Sequence, residues 1–109
     1  MGILDKLSGQ LWLQGGSGVG VATLTGNRLL DGTSAQFQNL TASGSDRNVV
    51  LTALGARGAG QWFFIRNAGA SNNIVVKKND ASTTVATLAP GQWCLVVSGK
   101  VSGVLDWYI

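Results

Sequence analysis

The chain predicts an all-β fold, an antiparallel β-sandwich or jelly-roll-like single domain with a short N-terminal arm, on three observations. Sixteen glycines, one proline and 12% charged residues in 109 are poor material for helices, because glycine costs about 1 kcal/mol per helical position relative to alanine. Short apolar stretches alternate with Gly, Asn, Asp and Ser turn signals along nearly the whole chain, the spacing of a sandwich or barrel. The run Trp62, Phe63, Phe64 and Ile65 sits between glycine-rich segments at 58–60 and 67–69, and so reads as a short strand with two apolar faces. A strand of that kind needs cover on both sides, one of which a second subunit can supply. These four residues are therefore expected to serve both core and oligomer contacts.

Three sections follow from the composition: an N-terminal arm at 1–14, a glycine-rich linker at 15–20 and a β-sandwich domain at 21–109. In the arm, Ile3, Leu4, Leu7 and Leu11 fall at helical spacing with Trp12 beside the last, and Asp5, Lys6, Ser8 and Gln10 take the other side. So short an amphipathic helix is marginal in water and needs a surface to lie on. Gly15, Gly16, Ser17, Gly18, Val19 and Gly20 read as a joint and not as a phosphate loop, since the lysine and the preceding strand of such a loop are missing.

Strands are expected in order at 19–24, 28–30, 35–40, 48–54, 61–67, 74–78, 83–88, 92–98 and 104–109. Val49, Leu51 and Ala53 share one face, as do Trp93, Leu95 and Val97, and Leu105, Trp107 and Ile109. The segment 67–73 is expected to be a hairpin loop returning 74–78 beside the central strand. Pro90-Gly91 marks a turn, and so does 98–100. Gly60-Gln61-Trp62 recurs as Gly91-Gln92-Trp93, one match being too little for a repeat.

The charged residues argue against chemistry. Without histidine or glutamate, the chain lacks an ordinary general base near neutral pH, a Ser-His or Cys-His pair and a zinc ligand set. Asp31, Asp46 and Asp80 stand in turns, Asp5 in the arm and Asp106 near the end. No catalytic, metal or cofactor site is expected. Cys94, between Trp93 and Leu95, reads as a small buried hydrophobe. The net charge of +3 is eight basic residues against five aspartates, the Arg being scattered and Lys77 and Lys78 pointing to opposite faces of a strand. Neither nucleic acid nor membrane is an expected partner, as no apolar run reaches the roughly 18 residues of a span. A secretory leader is not expected either, since 1–7 carries Asp5 and no long apolar core.

Several segments together carry a resemblance. These are 48–54, the run Gly60-Gln61-Trp62-Phe63-Phe64-Ile65-Arg66-Asn67-Ala68-Gly69, Leu88-Ala89-Pro90-Gly91-Gln92-Trp93, Val97-Ser98-Gly99-Lys100 and Asp106-Trp107-Tyr108-Ile109. Over roughly 36–109 the chain resembles the small β-domains of tailed-bacteriophage virion proteins. The resemblance implies a capsid decoration or cement protein, a homotrimer of β-sandwich or jelly-roll subunits made in the bacterial host cytoplasm and seated outside an icosahedral shell. Its partners would be itself and the phage major capsid protein. The arm lies outside the resemblance, and its role as a capsid clasp through Ile3, Leu4, Leu7, Leu11 and Trp12 is inferred from its pattern alone. The alternative is a receptor- or glycan-binding module of a tail fibre or spike, with Trp12 and Tyr108 as stacking platforms. A secreted lectin-like sandwich is weakened by the lack of a leader.

Overall fold

A computed structural model describes residues 16–53 and 60–109. The expectations for the arm, Ile3, Leu4, Leu7, Leu11 and Trp12 among them, lie outside the described residues, as do those for 54–59. Nine strands make up the regular structure: β1 (Gly16–Leu24), β2 (Arg28–Leu30), β3 (Ala35–Ala42), β4 (Arg47–Leu51), β5 (Trp62–Asn67), β6 (Ile74–Lys77), β7 (Thr84–Leu88), β8 (Trp93–Val101) and β9 (Val104–Tyr108). They form a five-stranded sheet in the order β1-β3-β5-β8-β9 and a four-stranded sheet in the order β2-β4-β6-β7.

The all-β expectation holds, but both sheets are mixed, where an antiparallel sandwich was expected. The pairs β1–β3, β3–β5, β2–β4 and β4–β6 are parallel, while β5–β8, β8–β9 and β6–β7 are antiparallel. The reason lies in the turns. From β1 to β6 each strand belongs to the sheet opposite its predecessor, so each fully described connection among them carries the chain across the core. A strand reached after two such crossings runs in the original direction and pairs in parallel. Strands β1 to β6 thus follow a flattened coil of three turns. The segment 68–73 is one of these crossings and not the expected hairpin loop, since β6 pairs with β4 and β7.

Two further boundaries differ. The glycine-rich segment expected as a linker contributes Gly16 to Gly20 to β1, whose pairing with β3 is irregular between Gly16 and Val19 and regular from there to Leu24. The turn expected at 98–100 falls instead at Ser102 and Gly103, with φ of 51° and 80°. Two positive φ values in a two-residue loop fit the twist of a hairpin, and β8 continues through Gly99 and Lys100 to reach it. The Pro90-Gly91 turn is as expected: Gln92 N–H donates to the Ala89 carbonyl at 2.9 Å and Gly91 has φ of 83°, a conformation that a side chain would strain.

The core lies between the sheets. Leu24, Leu40, Phe63, Ile65, Val96 and Trp107 of the larger sheet meet Leu30, Val49, Leu51, Ile74, Val76 and Leu88 of the smaller, all buried. Phe63 and Trp107 pack at 6.0 Å between ring centres, and the Trp107 indole N–H donates to the Thr52 carbonyl at 3.0 Å. Among the described residues four polar side chains are buried with them, Gln36, Gln38, Asn67 and Ser98. Burying such groups is costly unless they are hydrogen-bonded. Gln38 meets this by donating to the Ala35 carbonyl at 2.6 Å and accepting from Arg28 Nε at 3.1 Å.

Candidate functional site: the outer face of the five-stranded sheet

In β5 the burial pattern divides the four expected residues. Phe63 and Ile65 point into the core, and Trp62 and Phe64, half-buried, point to the outer face. The neighbouring strand β8 makes the same division. Cys94, Val96 and Ser98 face inward, and Trp93, Leu95 and Val97 face out, with Trp93 61% exposed. Both faces of β8 are apolar in sequence, so hydrophobicity alone does not orient it. Ser98 settles the matter, because its hydroxyl accepts from Gln61 N–H at 2.9 Å and donates to the Gln61 carbonyl at 3.2 Å from a buried position.

Register aligns the outward residues into rows across the sheet. One row runs Val19, Phe37, Phe64, Leu95; a second runs Val21, Asn39, Arg66, Trp93; a third joins Trp62, Val97 and Tyr108. Phe64 is the hub, with its ring 4.8 Å from that of Phe37 and stacked on that of Trp93 at 5.0 Å. Arg66 is the charged member of these rows, and its Nη1 donates to Asn39 Oδ1 at 3.2 Å within the face. Val19, Val21, Leu95 and Val97 are each at least 40% exposed. Scattered exposed apolar residues are ordinary, but a contiguous patch of them is a candidate interaction surface.

The remaining candidate groups are engaged structurally. Asp31 accepts from Thr33 through backbone and side chain, and Asp80 from Ser82 and Thr83 in the same manner. Each carboxyl is thereby held below the usual aspartate range, the Thr33 and Thr83 hydroxyls being the largest causes. Asp46 accepts from Asn73 N–H at 2.8 Å. Asp106 pairs with Lys78 at 2.6 Å, which together with the Trp107 N–H lowers its pKa. Cys94 packs against the core, and desolvation pushes its thiol up to about 11. No trio of Cys, Asp or Glu is placed to hold a metal among the described residues. Tyr108, expected as a stacking platform in the glycan reading, is half-buried and donates its hydroxyl to the Val104 carbonyl at 2.9 Å.

Sequence reasoning found the two-faced character of 62–65 but missed Val19, Val21 and Phe37 as members of the same face. The signal for them was absent, because only the parallel register brings β1 and β3 beside β5. No family model, curated protein or solved structure matches the chain.

Proposed function

We propose that this chain is a structural virion protein of the capsid-decoration kind, which works in an assembly that covers the outer face of its five-stranded sheet. The observation that carries the reading is the aromatic cluster Phe37, Phe64 and Trp93 with Trp62, Leu95 and Val97 around it, on a face whose row members include one charge, Arg66. Tryptophan, tyrosine and arginine in a well-packed apolar setting are the side chains that dominate binding energy at protein interfaces. A module that reinforces a shell needs contact area repeated by symmetry and no chemistry, and the four described aspartates are engaged in turns and an ion pair.

The test is sedimentation equilibrium of the full chain beside Leu95→Lys and Val97→Lys, paired with co-sedimentation on empty phage shells. Both positions point outward, so the variants should fold. The reading expects an oligomer that the substitutions shift toward the 11.3 kDa chain, and shell binding that weakens with them. Saturable binding on a glycan array by a monomer that ignores shells would favour the receptor-binding alternative.

A further inference from the structure

The four sheet edges are not alike. The β2 edge is three residues long and begins with Arg28. On β7 the pairing with β6 is broken by an irregularity at Val76 and Lys77, and exposed Thr84 and Thr87 line it. The β9 edge is tied to the other sheet by the Lys78–Asp106 ion pair. Short length, bulges and charges are the devices by which proteins keep a sheet edge from accepting another strand. On β1 there is no charge and no proline over nine residues, and its ladder with β3, irregular between Gly16 and Val19, is regular from there to Leu24. Among the described residues the most exposed large apolar side chain after Ile109 is Val21, at its centre and 73% exposed.

We infer that the β1 edge, which no described strand covers, pairs antiparallel with β1 of a second copy of this chain, about a two-fold axis at Val21, to make one continuous sheet across both copies. The side chains fit that occupant. Pairing about Val21 sets Val21 against its own copy and Val19 against Thr23 on the outer face, all β-branched residues, which pack well across strands. On the inner face it sets Gly20 against Ala22, the smallest pair available. A copy brings no like charge to the strand, whereas β1 offers a foreign strand neither a charge nor a pocket by which to be chosen. The copy also extends the rows that begin at Val19 and Val21, so the apolar faces of two subunits become one. Symmetric two-fold contacts of this kind are the commonest in homo-oligomers.

The inference rests on the reading that the chain works assembled, and it fixes one contact as two-fold, so the assembled mass is an even multiple of the chain. The test uses the full chain with Val21→Cys, oxidised in dilute solution beside the unmodified protein and Thr25→Cys, an exposed control in the following turn. Val21→Cys should be trapped rapidly as a covalent dimer, because the two introduced thiols face each other, and the other two should not. Val21→Lys should raise the dimer dissociation constant by about tenfold or more, as directly opposed like charges repel, with an unchanged far-ultraviolet spectrum. Cross-linking of Val21→Cys no faster than of Thr25→Cys overturns the inference. So does a trimer, although a trimer that Leu95→Lys dissociates leaves the proposed function standing. A chain that is monomeric at all concentrations overturns the inference, and one that also ignores shells overturns the proposed function.

Discussion

The Asn67 amide of β5 donates to the Leu88 carbonyl of β7 at 2.9 Å, joining the two sheets through a fully buried side chain. The same Nδ2 donates to the Asn72 carbonyl at 2.8 Å, and Oδ1 accepts from Gly69 N–H at 2.9 Å. One residue therefore satisfies three backbone groups where the chain leaves β5 to cross the core. Asn67→Ala would strand them, at about 1 to 3 kcal/mol for a buried group left unpaired. The expected outcome is a loss of about 3 kcal/mol or more in urea unfolding; a loss under about 1 kcal/mol would show that the crossing is held by other contacts.

Gly20 and Gln38 make a second coupled pair. A Cβ at position 20 would fall 2.6 to 2.8 Å from the Gln38 amide, and that amide is held from below by the Ala35 carbonyl and Arg28. Gly20→Ala should cost about 1 to 3 kcal/mol by overpacking. In a double-mutant cycle with Gln38→Ala, the second substitution makes room, so the two losses should not add. Additive losses would mean that the two side chains do not compete for the same space.

Neighbouring positions of β5 should behave oppositely. Phe63→Ala and Ile65→Ala empty buried sites and should cost about 3 to 5 and 2 to 5 kcal/mol. Trp62→Ala, on the outer face, should cost less in a dissociated subunit and more in the assembly. Chemical denaturation at low and high protein concentration separates the two, and equal losses for Trp62→Ala and Phe63→Ala would contradict the assigned faces.

The positions of the nine strands were legible in the sequence because period-two apolar patterns and Gly, Asn and Asp turns mark them directly. Their pairing was not. A short turn such as 68–73 looks the same whether it folds a strand back beside its predecessor or drops it onto the facing sheet, and the second outcome makes the sheets mixed. For the same reason the outer face was legible only within β5 and β8, where alternate residues of Trp62-Phe63-Phe64-Ile65 and 93–97 declare two apolar sides. Its extension to Phe37, Val19 and Val21 depends on a parallel register that no local signal records.

Stability should depend on pH at the two ends of the range and not between. Asp31, Asp80 and Asp106 are lowered from an ordinary value of 3.8 in the folded chain, so the unfolded chain binds protons more readily. Their contribution is present above about pH 4 and is lost as pH falls through the folded values. For Cys94 the folded value is raised from 9.0 to about 11, so its contribution is full below 9 and is lost as pH rises toward 11. With no histidine in the chain, the profile should be flat from about pH 5 to 8. Thermal unfolding across pH checks this, and Cys94→Ala should remove part of the alkaline fall.

The claim that the outer face of the five-stranded sheet is covered in the working state is tested most directly by hydroxyl-radical footprinting of Trp93, read by mass spectrometry across a range of protein concentration and on shells. The indole is 61% exposed in the single subunit and stacks on Phe64 at the centre of the apolar rows. Oxidation of Trp93 should be fast in dilute protein and fall several-fold as the chain assembles, while exposed groups away from the sheet keep their rates. Trp93 oxidised equally fast in the dilute, concentrated and shell-bound protein would contradict the account.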